Sequence, residues 1–381
     1  MISSVMPTPD LSPEDLCRYS RQIVLPELGF EGQKKLKAAR VLVVGMGGLG
    51  APLSLYLTAA GIGTLGLVDH DAVELANLHR QILYANESVG RSKLTEAETR
   101  LKALNPGVKI IRHEERLTSR NALNIINGYD VVADGTDNFP TRYLINDACV
   151  LAGKPNVHAA VFRFEGRLSV FDGRKGPCYR CLFPQPPVPG TVPDCAAGGV
   201  LGALPGVMGS LQAVEVVKLI LGAGVPAIGK LVVFDALSME WQTISIRKDP
   251  RCPLCGAKPT IRELADYEAF CGDVMPEASV EELKAKLNRK DDFLLLDVRE
   301  PAEHALANIP GAMLIPLGEL PKRLQELEPY RSQPILVHCR TGNRSATAVR
   351  LLREQGFPGA VNVAGGIAAW SERVDPSVQK Y

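Results

Sequence analysis

Cys339 stands where an apolar, β-branched run stops. In Leu336-Val337-His338-Cys339-Arg340-Thr341-Gly342-Asn343-Arg344 a strand gives way to a short loop with two arginines and a glycine, and a helical pattern follows. A cysteine at a strand end, before a helix N-terminus and among cations, suits a thiolate and an anion held on or at its sulfur. The loop Arg340, Thr341, Gly342, Asn343, Arg344 puts four residues between Cys339 and Arg344. Phosphatases built on the same logic place five there. The smaller ring fits one extra sulfur atom better than a phosphate, which points to a persulfide on Cys339.

A second cluster lies near the other end of the chain. Val-Leu-Val-Val is followed by Gly45, Gly47, Gly48 and Gly50 in a Gly-x-Gly-x-x-Gly pattern that opens a helix. Such glycines let the backbone approach phosphate closely at a helix N-terminus. Asp69 ends the next strand, at the distance where an acid bonds a ribose hydroxyl. That much suits NAD. The rest suits ATP and Mg2+ better. The stretch Ala76-Asn77-Leu78-His79-Arg80-Gln81, Lys93 at a helix start, and Asp137 and Asn138 beyond a third strand supply cations for phosphate oxygens and a carboxylate for a metal. Hydride transfer needs none of these, and no Walker-type loop is present.

Two Cys-x-x-Cys turns, Cys178/Cys181 and Cys252/Cys255, make a four-thiolate shell suited to structural zinc (Zn2+). Neither opens a thioredoxin-like helix, which argues against a redox pair. Cys195 ends the Gly/Pro-rich run Gly190-Thr191-Val192-Pro193-Asp194. A lone cysteine is ordinarily a small buried apolar group, yet a flexible loop could carry it over the nucleotide, as a catalytic or resolving thiol. Cys17, Cys149 and Cys271 have no such context.

These groups need a frame. Apolar runs and amphipathic segments alternate from Ala39 to Asp137, as in a doubly wound α/β sheet of Rossmann type with function at the strand ends. Ser12 and Pro13 carry helix-start chemistry. A first domain is expected over residues 12–257, a linker over 258–276 and a small α/β domain over 277–376. In the second, Leu320 to Leu327 reads as a helix, and Asp297 and Arg299 as braces for the Cys339 loop. A length of 381 residues suits two domains, and a net charge of +1 argues against nucleic-acid binding through a basic face. Nine cysteines without a secretory signal pattern favour a reducing compartment, the cytoplasm. Cys195 to Val214 has no charged residue, but its glycines and Pro205 read as a loop and a buried helix, not a membrane span.

The runs from Arg18 to Gly50, from Val68 to Gln81 and Asp134-Gly135-Thr136-Asp137-Asn138, with the later cysteines, resemble the bacterial molybdopterin-synthase adenylyltransferases. These are kin of the thiamine-pathway adenylyltransferase and of ubiquitin-activating enzymes. The resemblance covers about Leu16 to Gly256. It implies adenylation of the C-terminal glycine of a ubiquitin-like sulfur-carrier protein ending in Gly-Gly. Asp137 would bind magnesium, Arg80 and Lys93 the phosphates, Asp69 the ribose, and Gly48 and Asn77 the nucleotide. Arg21, with Arg18 as rival, would reach the partner's site in a homodimer. Cys195 aligns with the cysteine relatives place near the adenylate. From Pro276 to Trp370 the chain resembles a rhodanese domain, with Ala307-Asn308 where Gly-His is usual. The whole resembles fused adenylyltransferase–sulfurtransferase proteins, loaded by a sulfur donor that is a persulfide-delivering desulfurase or thiosulfate. Two other readings are an NAD-dependent oxidoreductase with a phosphatase-like tail and a non-catalytic scaffold for ubiquitin-fold proteins.

Overall fold

The computed structural model describes residues 9–187, 199–271 and 276–379. The chain divides into two compact units, the first ending at Cys271 and the second formed by the described residues from Pro276 on. The 258–271 stretch therefore belongs to the first unit rather than to a linker. Tyr267 is why: its hydroxyl donates to the buried Asp147 carboxylate at 2.8 Å, and the Arg180 guanidinium stacks on Phe270 at 4.6 Å.

The first unit is built on one eight-stranded sheet. In chain order the strands are β1 (Arg40–Val44), β2 (Thr64–Val68), β3 (Lys109–His113), β4 (Val131–Asp134), β5 (Asn156–Phe162), β6 (Glu165–Phe171), β7 (Lys230–Asp235) and β8 (Glu240–Ser245). Their spatial order is β3-β2-β1-β4-β5-β6-β7-β8. The first five run parallel as the alternation predicts, whereas β6, β7 and β8 add antiparallel hairpin strands. The sheet is thus mixed, and its three antiparallel strands do not show as strand–helix alternation. The turn into β6 is short, with Arg163 at φ +53°.

Register decides where chemistry can occur. Val44 pairs with both Val68 and Asp134, so β1, β2 and β4 end level. Strand order reverses beside β1, the position where open α/β sheets leave a crevice. The helix Gly50–Ala60 starts hard against the glycine loop. A Cβ on Gly50 would lie 2.0 Å from the Gly45 carbonyl oxygen, so only glycine permits the approach. The helix ends at Gly61, which takes the left-handed conformation at φ +83° that closes a helix without a side-chain clash. Ala203–Leu221 is long and apolar enough to cross a membrane, but Leu204, Met208, Gln212, Val216 and Leu219 are buried in the core of this unit. The Gln212 amide donates to the Asp134 and Val157 carbonyls at 2.8 and 2.9 Å, tying that helix to β4 and β5.

The second unit has a five-stranded, all-parallel sheet. Its strands are β9 (Glu277–Ala278), β10 (Leu294–Asp297), β11 (Met313–Leu314), β12 (Ile335–His338) and β13 (Ala360–Val363), in the order β11-β10-β12-β13-β9. A Ser12 cap starts the helix Pro13–Arg18 of the first unit, and Ser279 with Glu282 forms a capping box for Val280–Arg289. Each such cap stabilises its helix by about 1 kcal/mol. The stretch expected as a helix from Leu320 forms two 3₁₀ segments instead, Leu320–Lys322 and Leu324–Tyr330. Pro321 and Pro329 supply no N–H for the α ladder.

Candidate functional site

The level ends of β1, β2 and β4 open into a cavity of about 360 Å³. Gly45, Gly47, Gly48, Asp69, Arg80, Gln81, Lys93, Asp137 and Asn138 all line it. Nine residues scattered from position 45 to position 138 thus converge, because three parallel strands deliver them to one edge. Gly45 sits at φ +86°, and the loop behind it is braced by Tyr84, whose hydroxyl donates to the Met46 carbonyl at 2.8 Å. Burial, with Asp69 nearby, pushes the Tyr84 hydroxyl's pKa far up, so it stays a donor. Asp69 accepts from the Met46 and Asp71 amides at 2.8 and 2.9 Å, which fixes the acid at the cavity wall.

The two expected cations are held in place. Arg80 Nη2 donates to Asn77 Oδ1 at 2.8 Å, Nη1 reaches the Ala76 carbonyl at 3.3 Å, and Nη1 lies 2.8 Å from His79 Nε2. Ala76, Asn77 and His79 therefore orient the arginine and do not line the cavity, while Leu78 packs on the core. Gly50 lies beneath the loop. Lys93, 6% exposed at its side chain, lies 2.7 Å from Asp71 and 3.9 Å from Asp69. Asp137, by contrast, is exposed, and no hydrogen bond or ion pair is found for it among the described residues. That carboxylate can take a hard cation without first breaking a contact.

The structure adds residues that sequence reasoning missed. Arg142 and Thr136 line the cavity, and Arg142 donates to the Thr136 carbonyl at 3.1 Å. Arg142 lies one helical turn beyond Asn138, the cap of Phe139–Leu151, and that spacing was a legible signal. Beneath them Asp134, fully buried, accepts from Thr136 through N and Oγ1 and pairs with His158 at 2.8 Å. Burial pushes its carboxyl up, but the His158 bond and the nearby cations outweigh this and hold it below the usual range. Arg21 does not line the cavity. It is exposed, whereas Arg18 is engaged by Glu14 and the Leu104 carbonyl. Cys195 lies outside the described residues.

The four expected metal ligands meet. The Sγ atoms of Cys178, Cys181, Cys252 and Cys255 all lie within 4.8 Å of one another, with close pairs at 3.4, 3.6 and 3.9 Å. A tetrahedral zinc with ~2.3 Å bonds needs S···S edges of about 3.8 Å. The cluster is thus compatible with zinc, and its closed shell leaves no position for a substrate. Asp249 N–H donates to Cys181 Sγ at 3.4 Å, steadying one thiolate. Arg180, inside the first turn, forms a bidentate pair with buried Asp147, so the cluster is anchored to the helix Phe139–Leu151 behind the cavity.

In the second unit Cys339 follows β12 and is 1% exposed. The Gly342 amide donates to its sulfur at 3.1 Å. Gly342 itself sits at φ +101°, which a side chain resists. The loop is closed from the other side by the helix Gly366–Arg373: Ile367 N and Ala368 N donate to the Cys339 and Arg340 carbonyls. Asn343 begins the helix Asn343–Glu354. Asp297 and Arg299 form the expected brace, fully buried and bidentate, and His304 adds a third contact to Asp297 at 2.8 Å. Burial would raise the Asp297 pKa, but Arg299 draws it down to about 2. His338 is fully buried and desolvation lowers it to about 4, so it is neutral at pH 7. Arg344, expected to add positive charge to the loop, is paired bidentately with Glu303 at 2.6 and 2.6 Å.

Comparison with known proteins gives the same division. The model of the ThiF family matches residues 19–254, and that of the rhodanese-like domain matches residues 279–373. The chain is 45% identical over 391 aligned residues to a protein of Mycobacterium tuberculosis named probable adenylyltransferase/sulfurtransferase MoeZ, covering 99% of this chain and 98% of that one. It is 44% identical over 412 residues to the adenylyltransferase and sulfurtransferase MOCS3 of Bos taurus, covering 100% and 90%. Among solved structures, E. coli MccB with ATP matches with a TM-score of 0.56 at 24% identity, over 63% of this chain and 74% of that chain. The last likeness is one of fold.

Proposed function

Because this chain belongs to the ThiF family and carries a rhodanese-like domain after it, we propose that it activates a carboxylate in its first unit and delivers sulfur from its second. It is an adenylyltransferase and sulfurtransferase enzyme. The substrate is a ubiquitin-fold sulfur carrier ending in Gly-Gly, with the small subunit of molybdopterin synthase as the favoured one. The observation that carries this reading is the convergence of the glycine loop, Arg80, Lys93 and the unengaged Asp137 on one cavity.

A terminal carboxylate oxygen of the carrier attacks the α-phosphorus of ATP. The bond to pyrophosphate breaks, and an acyl-adenylate forms. Arg80 and Lys93 offset charge that builds on the phosphate oxygens, Asp69 faces the ribose, and Asp137 is the carboxylate for magnesium. Magnesium, when bound, neutralises phosphate charge. The terminal sulfur of a Cys339 persulfide then attacks the acyl carbon, and AMP leaves. Cys195 thiolate attacks Cys339 Sγ, which frees the carrier as a thiocarboxylate and leaves a Cys195–Cys339 disulfide for a cellular dithiol to reduce. A homodimer in which Arg21 serves the partner's site fits its exposure and the engagement of Arg18. A cytoplasmic setting fits the thiol chemistry.

The test is intact mass of a Gly-Gly carrier after incubation with the enzyme, ATP, magnesium and thiosulfate. Replacement of one oxygen by sulfur, dependent on ATP, is the expected result. An unchanged carrier, with tight NAD binding and no ATP turnover, would favour the oxidoreductase reading instead.

A further inference from the structure

The loop around Cys339 carries two arginines, yet its charge is not what their number suggests. Arg344, the second residue of the helix Asn343–Glu354, meets Glu303 through both guanidinium nitrogens, each bond 2.6 Å. Glu303 is not a mobile surface acid. It sits on the short helix Pro301–Leu306, its carboxylate also accepts the Glu300 amide at 3.1 Å, and Arg299, itself buried with Asp297, donates to the Glu303 and Ala307 carbonyls at 3.3 and 2.8 Å. Arg340 lines a cavity of about 250 Å³ that Glu372 also lines and Cys339 does not. The Gly342 amide donates to the sulfur at 3.1 Å, and the Ser345 hydroxyl lies 3.4 Å from it.

We infer that Glu303 is a specificity-determining, positioning residue: by cancelling Arg344 beside the loop it turns Cys339 away from small multiply charged sulfur donors and toward persulfide sulfur. The inference rests on the sulfurtransferase reading of this unit. Two loading reactions share one attacking group. With thiosulfate, the Cys339 thiolate attacks the sulfane sulfur, the S–S bond breaks and sulfite leaves, so a dianion must enter and a dianion must depart. With a persulfide R–S–SH, the thiolate attacks the terminal sulfur, the S–S bond breaks and the donor leaves as a thiolate, with the proton retained on the new persulfide. A dianion gains twice the Coulomb energy from an uncompensated arginine that a monoanion gains, and an uncharged persulfide gains almost none. The Arg344–Glu303 pair removes that gain where the donor would collect it. Glu303 is held ionised, near a pKa of about 2, by its Arg344 bonds, so the cancellation persists at any pH at which the enzyme works.

The experiment loads the full-length protein with two donors of the same chemistry and different charge, thiosulfate and methanethiosulfonate, and reads persulfide on Cys339 by cyanolysis. For Glu303→Gln at low ionic strength, kcat/KM should rise about tenfold with the dianion and about threefold with the monoanion, and both gains should collapse in concentrated salt. In the double variant Glu303→Gln/Arg344→Gln the gains should vanish. A loss of loop structure would lower both donors alike. Equal changes with both donors, or no change in their ratio, overturn the role of Glu303 while leaving sulfur transfer intact. If wild-type protein is loaded by neither donor, nor by a low-molecular-weight persulfide, the sulfurtransferase reading falls and this inference with it.

Discussion

The nucleotide cavity and the Cys339 loop are built alike and differ in the side chains around them. Each lies where a parallel strand ends and a helix begins: Val44 before Gly45, and His338 before Cys339. In the first, Arg80 and Lys93 reach the cavity wall, Lys93 paired with Asp71, and Asp137 stands exposed with no partner found among the described residues. In the second, the sulfur is 1% exposed, and the nearby arginine is matched by Glu303. The difference teaches that a strand-to-helix turn is only a dipolar cradle. The side chains around it decide what it receives.

The comparison can be broken at several points. The largest effect should come from the cysteine cluster that anchors the first unit. Cys252→Ser leaves three thiolates for a zinc ion and should lower the melting temperature of that unit by about 10 °C. Zinc content measured alongside should fall to background, and the Cys339 loop should keep its cyanolysis activity. Next, Arg80→Ala should cut ATP–pyrophosphate exchange by roughly 10²–10³, because a positioned cation on the phosphates is lost. Asn77→Ala, which only frees the arginine, should cost about tenfold. If Asn77→Ala matches Arg80→Ala, then Asn77 contacts the nucleotide itself.

In the second unit, Gly342→Ala forces a side chain onto φ +101° and places its Cβ 3.2 Å from the Gly365 nitrogen. The amide bond to the sulfur should loosen, and sulfur loading should fall by roughly tenfold. Exchange should not change. The smallest effect concerns pH. His338 is neutral in the fold, its pKa lowered by burial to about 4, against about 6.5 in the unfolded chain. Above pH 6.5 it contributes no pH dependence. As pH falls from 6.5 toward 4 the unfolded chain gains a proton that the folded one does not, so stability declines, by about 1.4 kcal/mol at pH 5.5. Hydrogen exchange of the β12 amides should show that slope in wild type and not in His338→Gln.

Much of both sites was legible in the chain. Gly45 to Gly50, Asp69 and Asp137 announce themselves because each follows a strand pattern, and parallel strands gather such positions at one edge; Arg80 and Lys93 follow in the segment between β2 and β3. The cysteine turns were legible from spacing alone. What stayed hidden depends on contacts between distant segments. That Asn77 and His79 hold Arg80 is a matter of rotamers. The Arg344–Glu303 pair joins residues 41 positions apart, and no local spacing marks it. The antiparallel strands β6, β7 and β8 carry too few apolar alternations to stand out: every residue of β8 is exposed. The packing of Tyr267 on Asp147 made a segment that reads as linker part of the first unit.

The account depends most on two chemistries divided between two units. ATP–pyrophosphate exchange with a Gly-Gly carrier, measured side by side in Asp137→Ala and Cys339→Ala, tests that division directly. Exchange should fall by at least roughly 10³ in Asp137→Ala and stay at the wild-type rate in Cys339→Ala, whose carrier then accumulates no thiocarboxylate. Undiminished exchange in Asp137→Ala, or exchange lost in Cys339→Ala, would contradict it.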